Sequence, residues 1–427
     1  MSNCFRIPKP LGLSQLHRYG LQTFRNGDFF SALIIFDFLS MHSGFCYLYY
    51  RLWCRRSATA IRRNLGSTPR INTKNHTKSG IIIRLLDTLI SLNYPREELQ
   101  RAIDSVPESG HRMLLNACLS SGRDLPTWQY HINRYLEKNE LRPLQIEGYE
   151  PDGNILDCLR FQSHPQTAPE GLVTICISAY NSAATLPYAI ASILQQDYQN
   201  FELIVADDAS TDNTRAIIED YAMRDHRITP IFNTTNKGTY WNRNVALKMA
   251  RGRFFTTLDA DDFCHPQRIS MQVEVLIRKP KLAGTYSRWL RIERSGRLLF
   301  RNWGATYLHE AISTLLIDRT MVLPAIGYYD EVRYSADTEY AERIRMFFGP
   351  DALHVIQKPL TFALAHQNSL TAAQKSGIHN YLGPSKPRKQ YRSSWKNWHL
   401  SCSRKDLYLE FHASERKFPA PAIMVHE

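Results

Sequence analysis

The chain has 427 residues, which is enough for more than one domain, and a formal net charge of +13 at pH 7. A charge of this sign favours an acidic partner, such as an anionic membrane or a nucleic acid. The eight cysteines include no Cys-x-x-Cys pair and are irregularly spaced, which argues against a disulfide framework or a structural zinc site. We therefore expect a reducing, cytoplasmic location, and the first residues show no pattern of a cleavable signal peptide.

The N-terminal third carries helical patterns and one apolar segment. Residues 29–50 are rich in aromatic and aliphatic side chains, but Asp37 interrupts them. The uncharged remainder is shorter than the ~20 residues that a membrane-spanning helix needs. We expect instead a tetratricopeptide-like helical hairpin within a larger helical domain. Further helices are expected at 81–92, 96–103 and 113–119.

Strands and helices alternate after residue 170. Apolar, β-branched runs predict strands at 172–178, 201–206 and 254–258. Apolar residues at helical spacing predict intervening helices at 183–196, 214–223 and 241–250. Asp212 and Thr214 are candidate N-terminal caps for the second helix. This alternation is typical of an α/β fold with a doubly wound, mostly parallel sheet.

Two of the predicted strands end in carboxylates. Asp207 and Asp208 follow the second strand, and Asp259, Asp261 and Asp262 follow the third. Because open α/β sheets bind ligands at the carboxyl ends of their strands, these side chains are expected in one crevice. Crowded carboxylates repel one another unless a cation or bound hydroxyl groups balance them. The arrangement therefore suits a divalent metal and a phosphorylated ligand.

A series of short motifs continues along roughly residues 170–370. The motifs occupy 177–181, 192–198, 202–205, 207–212, 236–238, 243–244, 258–262, 327–330 and 335–340. Their order and spacing closely resemble those of family 2 glycosyltransferases. Ala209 stands where that family usually has glycine, so we expect a slightly altered turn. Trp241 and Asn242 replace the small residues that often precede the Arg-Asn pair, so we expect a reshaped pocket.

The resemblance implies the GT-A fold, a nucleotide-sugar donor, a divalent metal and inversion at the sugar carbon. Asp261 would hold the metal, Asp259 and Ala260 would lie beside the donor, and His366 would complete the metal site. Oxygen ligands fit Mn²⁺ or Mg²⁺, which would neutralise the charge of the leaving nucleoside diphosphate. The alternatives are a solvated turn for Asp261, a structural role for His366, and a cap of a helix near Pro266 for Asp262.

The resemblance also implies how the donor is held. The loop formed by Ser178, Ala179, Tyr180 and Asn181 would cradle base and ribose. Asp208 would contact the base, and Asp207 could share that role. An Asx-type turn is the alternative for both aspartates. Arg243 has a geometry suited to phosphate or carboxylate, with a plain surface arginine as the alternative.

Asp337 matches the position of the family's catalytic carboxylate and is our candidate for the general base. Glu339 lies two residues further on. In an extended segment the two side chains would share a face and could raise one another's pKa, whereas in a helix they would diverge. Helix capping is the alternative role for Asp337.

The predicted domains are a helical region at 1–147, a linker at 148–170, a GT-A domain at 171–383 and a basic, aromatic C-terminal tail at 384–427. Basic residues concentrate at 51–78 and, interleaved with Tyr391, Trp395 and Trp398, at 386–396. Such segments suit peripheral contact with an anionic membrane, and a merely solvated face is the alternative. Nucleic acid is not expected, because no recognition motif accompanies the charge.

These patterns together predict an inverting, metal-dependent hexosyltransferase. It would move a sugar from a nucleotide-sugar donor, with UDP as the expected nucleotide, to a glycan or glycolipid hydroxyl at the inner face of the membrane. The alternative is a helical interaction protein that carries an inactive nucleotide-binding domain. The donor sugar, the acceptor, the linkage and the oligomeric state stay open.

Overall fold

The computed structural model describes residues 83, 86–87, 90–91, 96–150, 153–166, 171–300, 306–366, 369, 377–379 and 383–425. The tetratricopeptide-like hairpin, the apolar segment 29–50 and the basic run at 51–78 lie outside these residues. Across the described part of the chain, every helix is too short or too polar to cross a membrane.

The chain divides into two compact units. The first comprises residues 1–119, 300–306 and 379–383, and the second comprises 120–299, 307–378 and 384–427. The described helices of the first unit are α1 (Arg96–Asp104) and α2 (Gly110–Ser120), which ends at the boundary. Both helices were predicted. Gln100 Nε2 of α1 donates to Asn116 Oδ1 of α2 at 3.1 Å.

The second unit begins with a small layer of its own. It contains α3 (Leu125–Lys138), β1 (Leu144–Ile146), α4 (Ile155–Cys158) and β2 (Leu159–Phe161). Asp124 caps α3 by accepting from the Thr127 N–H at 3.1 Å. β1 and β2 form an antiparallel pair. Regular structure is therefore present inside the stretch 148–170, where Pro and Gly indicated a linker.

The main sheet and its helices form the rest of the second unit. In chain order they are β3 (Val173–Ala179), α5 (Leu186–Leu194), β4 (Phe201–Asp207), α6 (Thr214–Arg224), β5 (Ile228–Phe232), α7 (Thr239–Met249), β6 (Phe254–Asp259), β7 (Asp262–Cys264), α8 (Arg268–Arg278), β8 (Gly284–Ile292), β9 (Leu308–Asp318), α9 (Arg319–Ile326), α10 (Ala336–Phe348), β10 (Leu353–Leu364) and α11 (Lys386–Ser401). Short 3₁₀ turns lie at Pro350–Ala352, Arg404–Leu407 and Ala422–Met424.

The strand order of this sheet is β5-β4-β3-β6-β9-β8-β10-β7. β3 pairs in parallel with both β4 and β6, whereas β9 and β7 run antiparallel to their neighbours. The prediction of a mostly parallel α/β sheet is confirmed. From β3 the chain builds β4 and β5 on one side and then returns to β6 on the other side. A crevice therefore opens where β3 and β6 end, which is where such sheets bind ligands.

Burial explains why the sequence forms these strands. Every residue of β4 is buried, and β3 and β6 are buried except for Ser178 and Asp259 at their ends. Strands covered on both faces read as continuous apolar runs, and this is the pattern seen in the sequence. The register places Ser178 beside Asp259 and Ala179 beside Asp207, so the predicted acidic strand ends meet in one place.

The C-terminal segment packs on the main sheet's helices. Tyr391, Trp395 and His399 on the inner face of α11 are buried, and Trp398 stacks on Phe418 with ring centroids 4.9 Å apart. The aromatic side chains that we expected at a membrane surface therefore belong to the core, because they recur at helical spacing on one face of α11.

Candidate active site

The loop after β3 is tied to the loop after β4. The Asn181 N–H donates to Ser210 Oγ at 2.9 Å, and Asn181 Oδ1 accepts from the Thr211 N–H at 2.8 Å. Asn181 has a left-handed φ of 48°, which asparagine tolerates better than most residues. Ser178 Oγ accepts from Asn242 Nδ2 at 2.9 Å. The loop predicted to cradle the nucleoside is therefore held by its neighbours.

The remaining residues of that loop differ in exposure. Ala179 is buried, and its carbonyl accepts from the Asp208 N–H at 2.8 Å. Tyr180 keeps 51% of its surface exposed at the end of β3. An exposed aromatic ring at this edge of the sheet is free to stack on a planar group that enters the crevice.

Asp207 and Asp208 hold their own loops. Asp207 Oδ1 accepts from the Ser210 N–H at 3.2 Å, which is the turn geometry considered as its alternative role. The Asp208 carboxylate accepts from Asn233 Nδ2 at 2.8 Å and from the N–H groups of Lys237 and Gly238 at 2.8 and 2.7 Å. A carboxylate offers about four acceptor positions, so Asp208 is largely committed to the loop before α7.

The turn after β4 carries local strain. Ala209 adopts a left-handed φ of 63°, at the position where the sequence has alanine in place of glycine. Left-handed backbone places the alanine Cβ close to the following carbonyl oxygen, and glycine avoids this contact. That this alanine alters the turn relative to the family's glycine stays a prediction, which rests on the left-handed backbone of Ala209.

Arg243 pairs with Asp259 inside the crevice. Arg243 Nη2 lies 2.6 Å from Asp259 Oδ1, and only 4% of the arginine side chain is exposed. The alternative of a plain surface arginine is wrong, because α7 turns this side chain toward β6. Its guanidinium also lies 5.1 Å from the Tyr240 ring centroid. Beside it Asn242 is fully buried, with Oδ1 accepting from Asn233 Nδ2 at 2.7 Å.

The carboxylates after β6 repel one another. Loss of hydration in the crevice is the main cause of a raised pKa at Asp259; Arg243 opposes the rise, and the charges of Asp261 and Asp337 add to it. The pKa of Asp262 lies well above its usual range, first through burial and then through Asp261 and Asp259. Ala260, between them, is buried. A cation bound in this crevice would relieve the repulsion.

Asp261 and His366 face each other. His366 Nε2 lies 2.8 Å from Asp261 Oδ2. The exposed fraction is 29% for the His366 side chain and 30% for the Asp261 side chain. The Tyr188 hydroxyl donates to the Asp261 carbonyl at 2.7 Å and fixes the loop. Within the described ranges, no group of three or more His, Cys, Asp or Glu side chains could hold a metal alone. One oxygen and one nitrogen ligand fit Mn²⁺ or Mg²⁺ only if a ligand's phosphates and water supply the others.

Asp262 does not cap a helix. It is the first residue of β7, and the next helix begins at Arg268. The Arg291 charge from β8 opposes the rise in the pKa of Asp262. No sequence motif pointed to this arginine, because β8 comes near β7 only through the strand order of the folded sheet, with β10 between them.

Asp337 and Glu339 diverge, since the segment is helical. Asp337 lies in the first turn of α10, partly exposed, and its Oδ1 accepts from the Thr338 N–H at 2.8 Å. Glu339 is fully buried and contacts Arg343 Nε at 2.8 Å and His399 Nε2 at 3.0 Å. Burial alone would raise the pKa of Glu339, but Arg343 and His399 lower it overall. Of the two alternatives, the helical one holds, so the two carboxylates do not share a face, and Glu339 is structural.

Comparison with known proteins agrees with this geometry. A family model described as glycosyl transferase family 2 matches residues 174–315. The Escherichia coli protein WfaP, named as a UDP-Glc:alpha-D-GlcNAc-diphosphoundecaprenol beta-1,3-glucosyltransferase, is 39% identical over 174 residues, covering 38% of this chain and 68% of WfaP. The chain belongs to glycosyltransferase family 2.

A second relative and a solved structure complete the comparison. WfgD from Escherichia coli, which carries the same activity in its name, is 40% identical over 107 residues, covering 25% of this chain and 42% of WfgD. The structure of S. aureus TarS 1-349 with UDP-GlcNAc covers 46% of this chain and 59% of that one, at 22% identity and a TM-score of 0.37. Family membership and the sheet described above confirm the predicted glycosyltransferase and its GT-A type of fold.

Proposed function

We propose that this family 2 enzyme transfers a hexose from a UDP-sugar to a hydroxyl of a glycolipid or polysaccharide acceptor, with inversion and with a divalent metal. The observation that carries the proposal is the crevice at the ends of β3 and β6. The Asp261–His366 pair lies in it, and the charge of Asp337 contributes to the raised pKa of Asp259.

The donor side follows from the loops that are already fixed. Ser178, Ala179, Tyr180 and Asn181 would receive the nucleoside, with the Tyr180 ring stacking on the base. Asp208 would use its remaining acceptor position for a base N–H, and Asp207 would support that turn. Arg243 holds Asp259 in place and brings positive charge near the diphosphate.

Asp261 and His366 would hold a Mn²⁺ or Mg²⁺ ion together with the donor's diphosphate. Such an ion supplies Lewis-acid neutralisation of the charge that develops on the leaving group. Without it, the carboxylates of Asp259, Asp261 and Asp262 would repel an anionic donor. The same residues therefore make donor binding dependent on the metal.

Asp337 would act on the acceptor. A general base must remove the acceptor's hydroxyl proton on the face opposite the leaving group, and such displacement inverts the sugar carbon. Asp337 comes from α10, outside the strand ends that would hold the nucleotide. Its carboxylate is only partly occupied by hydrogen bonds, since those described go from Thr338 to Oδ1.

The names of the relatives support the choice of substrates. WfaP and WfgD are both named for UDP-glucose and a lipid diphosphate-linked acceptor. An acceptor of that type lies at a membrane surface. The outer face of α11 presents exposed cations to such a surface. They are Lys386, Lys389, Arg392 and Lys396.

Peripheral binding to the inner face of the membrane is part of the proposal. Each cation near an anionic surface contributes about 1 kcal/mol. Replacing the four α11 cations with alanine should therefore weaken sedimentation with anionic vesicles strongly and leave donor hydrolysis intact. Equal sedimentation of the variant and the parent chain, at low and high salt, would remove α11 from the proposal.

The test of the reaction uses the full chain with UDP-sugars and a synthetic GlcNAc-diphospholipid. We expect metal-dependent release of UDP and a product whose new linkage has the opposite anomeric configuration by NMR. A retained configuration would exclude the direct displacement proposed here. Donor binding without transfer or hydrolysis would favour the inactive nucleotide-binding alternative.

A further inference from the structure

Arg388 is the one lysine or arginine of α11 whose side chain is not exposed. Its neighbour Lys389 is exposed, whereas Arg388 is partly buried. The Arg388 guanidinium lies 4.5 Å from the Tyr334 ring centroid, and its Nη1 donates to Ser335 Oγ at 2.6 Å. The sequence had placed this arginine among the residues of a basic membrane-binding tail.

Arg388 contacts the residue immediately before α10, the helix that carries the candidate base. Ser335 precedes α10 and has a left-handed φ of 74°. A serine at this position commonly uses its hydroxyl to cap the helix, but Ser335 makes no such bond. Its hydroxyl accepts from Arg388 instead. A non-glycine residue in this conformation persists only when its surroundings hold it, and Asp337 follows two residues later.

The position of α11 itself is fixed by buried polar contacts. The Tyr391 hydroxyl donates to Asp330 Oδ2 at 2.8 Å, and His399 Nε2 lies 3.0 Å from Glu339 Oε1 of α10. These contacts keep α11 in register with α10, so the Arg388 guanidinium is delivered to one place.

We infer that Arg388 is a positioning residue, which holds the turn at 334–335 and thereby orients Asp337 toward the acceptor. The inference rests on the proposed role of Asp337. It makes the C-terminal segment part of the catalytic apparatus. Burial lowers the pKa of Arg388, while Tyr240 and Asp337 oppose that change, which is consistent with a guanidinium that faces the acceptor side of the crevice.

A positioning role differs measurably from a merely structural one. Loss of structure would lower stability and donor affinity together. Loss of orientation lowers kcat and leaves the donor Kd and the unfolding midpoint nearly unchanged. A displacement of about 1 Å at a reacting group can cost about 100-fold in rate.

The experiment compares Arg388→Ala, Arg388→Lys and the control Arg404→Ala, at an exposed arginine that follows α11, in the full chain. We expect Arg388→Ala to lower kcat about 10–100-fold with unchanged UDP affinity, Arg388→Lys to recover part of the rate, and Arg404→Ala to match the parent. Equal loss in Arg388→Ala and Arg404→Ala would indicate a surface-charge effect and overturn the inference. Unchanged kcat in Arg388→Ala would also overturn it.

A double-mutant cycle with Ser335→Ala tests the contact itself. If Arg388 acts through Ser335, the losses in kcat should not add. If they add in full, Arg388 acts elsewhere. Asp337→Asn separates this inference from the proposed function. Full activity of Asp337→Asn would sink the base assignment, whereas an inactive Asp337→Asn with normal Arg388→Ala would sink only the positioning role.

Discussion

The donor half and the acceptor half of the site are built differently. The donor half consists of loops that directly follow β3, β4 and β6, three strands in parallel register. The acceptor half depends on α10, whose first turn is held by α11. The ends of neighbouring strands position the residues of the donor half. Contacts between distant parts of the chain position those of the acceptor half. Damage to the C-terminal segment should therefore impair the acceptor half alone.

The largest expected effect lies in the donor half. Asp261→Asn removes one negative charge from the Asp261–His366 pair with little change of volume, so transfer and metal-dependent UDP binding should nearly vanish. Excess chelator should do the same to the parent chain. The control is Asp220→Asn, at a partly exposed residue of α6, and it should be fully active. Full activity of the chelated parent would remove the metal from the mechanism.

The next effect lies in the contact between α10 and α11. Glu339→Gln leaves Arg343 buried without its carboxylate, which should lower the free energy of unfolding by about 3–5 kcal/mol at neutral pH. The control Glu342→Gln, at a partly exposed residue that pairs with Arg345, should cost less than about 1 kcal/mol. Urea unfolding measures both values. Equal losses of unfolding free energy would mean that the buried Glu339–Arg343 pair stabilises the fold no more than the Glu342–Arg345 pair does.

The same pair gives a pH dependence of known sign. Because the pKa of Glu339 is lowered in the folded chain, its stabilisation is present above the ordinary glutamate pKa. It is lost as pH falls through the lowered folded value. The stability gap between the parent and Glu339→Gln should therefore narrow in acid, and a gap that widens would contradict the assignment.

A glycine controls how the C-terminal segment docks. Gly327 has φ of 72°, and a Cβ there would lie 1.9 Å from the Leu409 carbonyl oxygen. Gly327→Ala should cost about 3 kcal/mol and lower kcat, since Leu409 must move and its hydrogen bonds to Tyr328 and Ile326 are disturbed.

The matched control for this change is Gly148→Ala. Gly148 has φ of 69° with open space around its Cβ position, so only the strain of about 1–2 kcal/mol should appear. UDP affinity should be kept in both variants. Lost UDP affinity in Gly327→Ala would show that the two halves are not independent.

The smallest expected effect concerns the turn after β4, in the donor half. Ala209→Gly should relieve the left-handed strain at φ 63° and stabilise the chain by about 0.5–1 kcal/mol. The midpoint of urea unfolding should rise. We expect kcat to stay within about twofold of the parent value, because the change in free energy is about as small as that of an ordinary surface substitution. A lower midpoint would mean that the Ala209 side chain contributes packing that the strain argument omits.

The same contrast explains what the sequence could predict. The strands at 172–178, 201–206 and 254–258 and the carboxylates after them were found because a buried parallel strand leaves a local pattern. The divergence of Asp337 and Glu339 depended on whether one short segment is helical, which its residues left open. Arg291 and Arg388 were missed as site residues, because strand order and helix docking bring them in from far along the chain.

The separation of the two halves is tested most directly by Asp337→Asn, with Glu342→Gln on the same helix as the control. Transfer kinetics and UDP binding by calorimetry should be measured on both variants. We expect kcat of Asp337→Asn to fall about 10²–10⁴-fold with UDP affinity unchanged, the usual range for loss of a general base. Lost UDP affinity with preserved kcat would place Asp337 in the donor half and contradict the account.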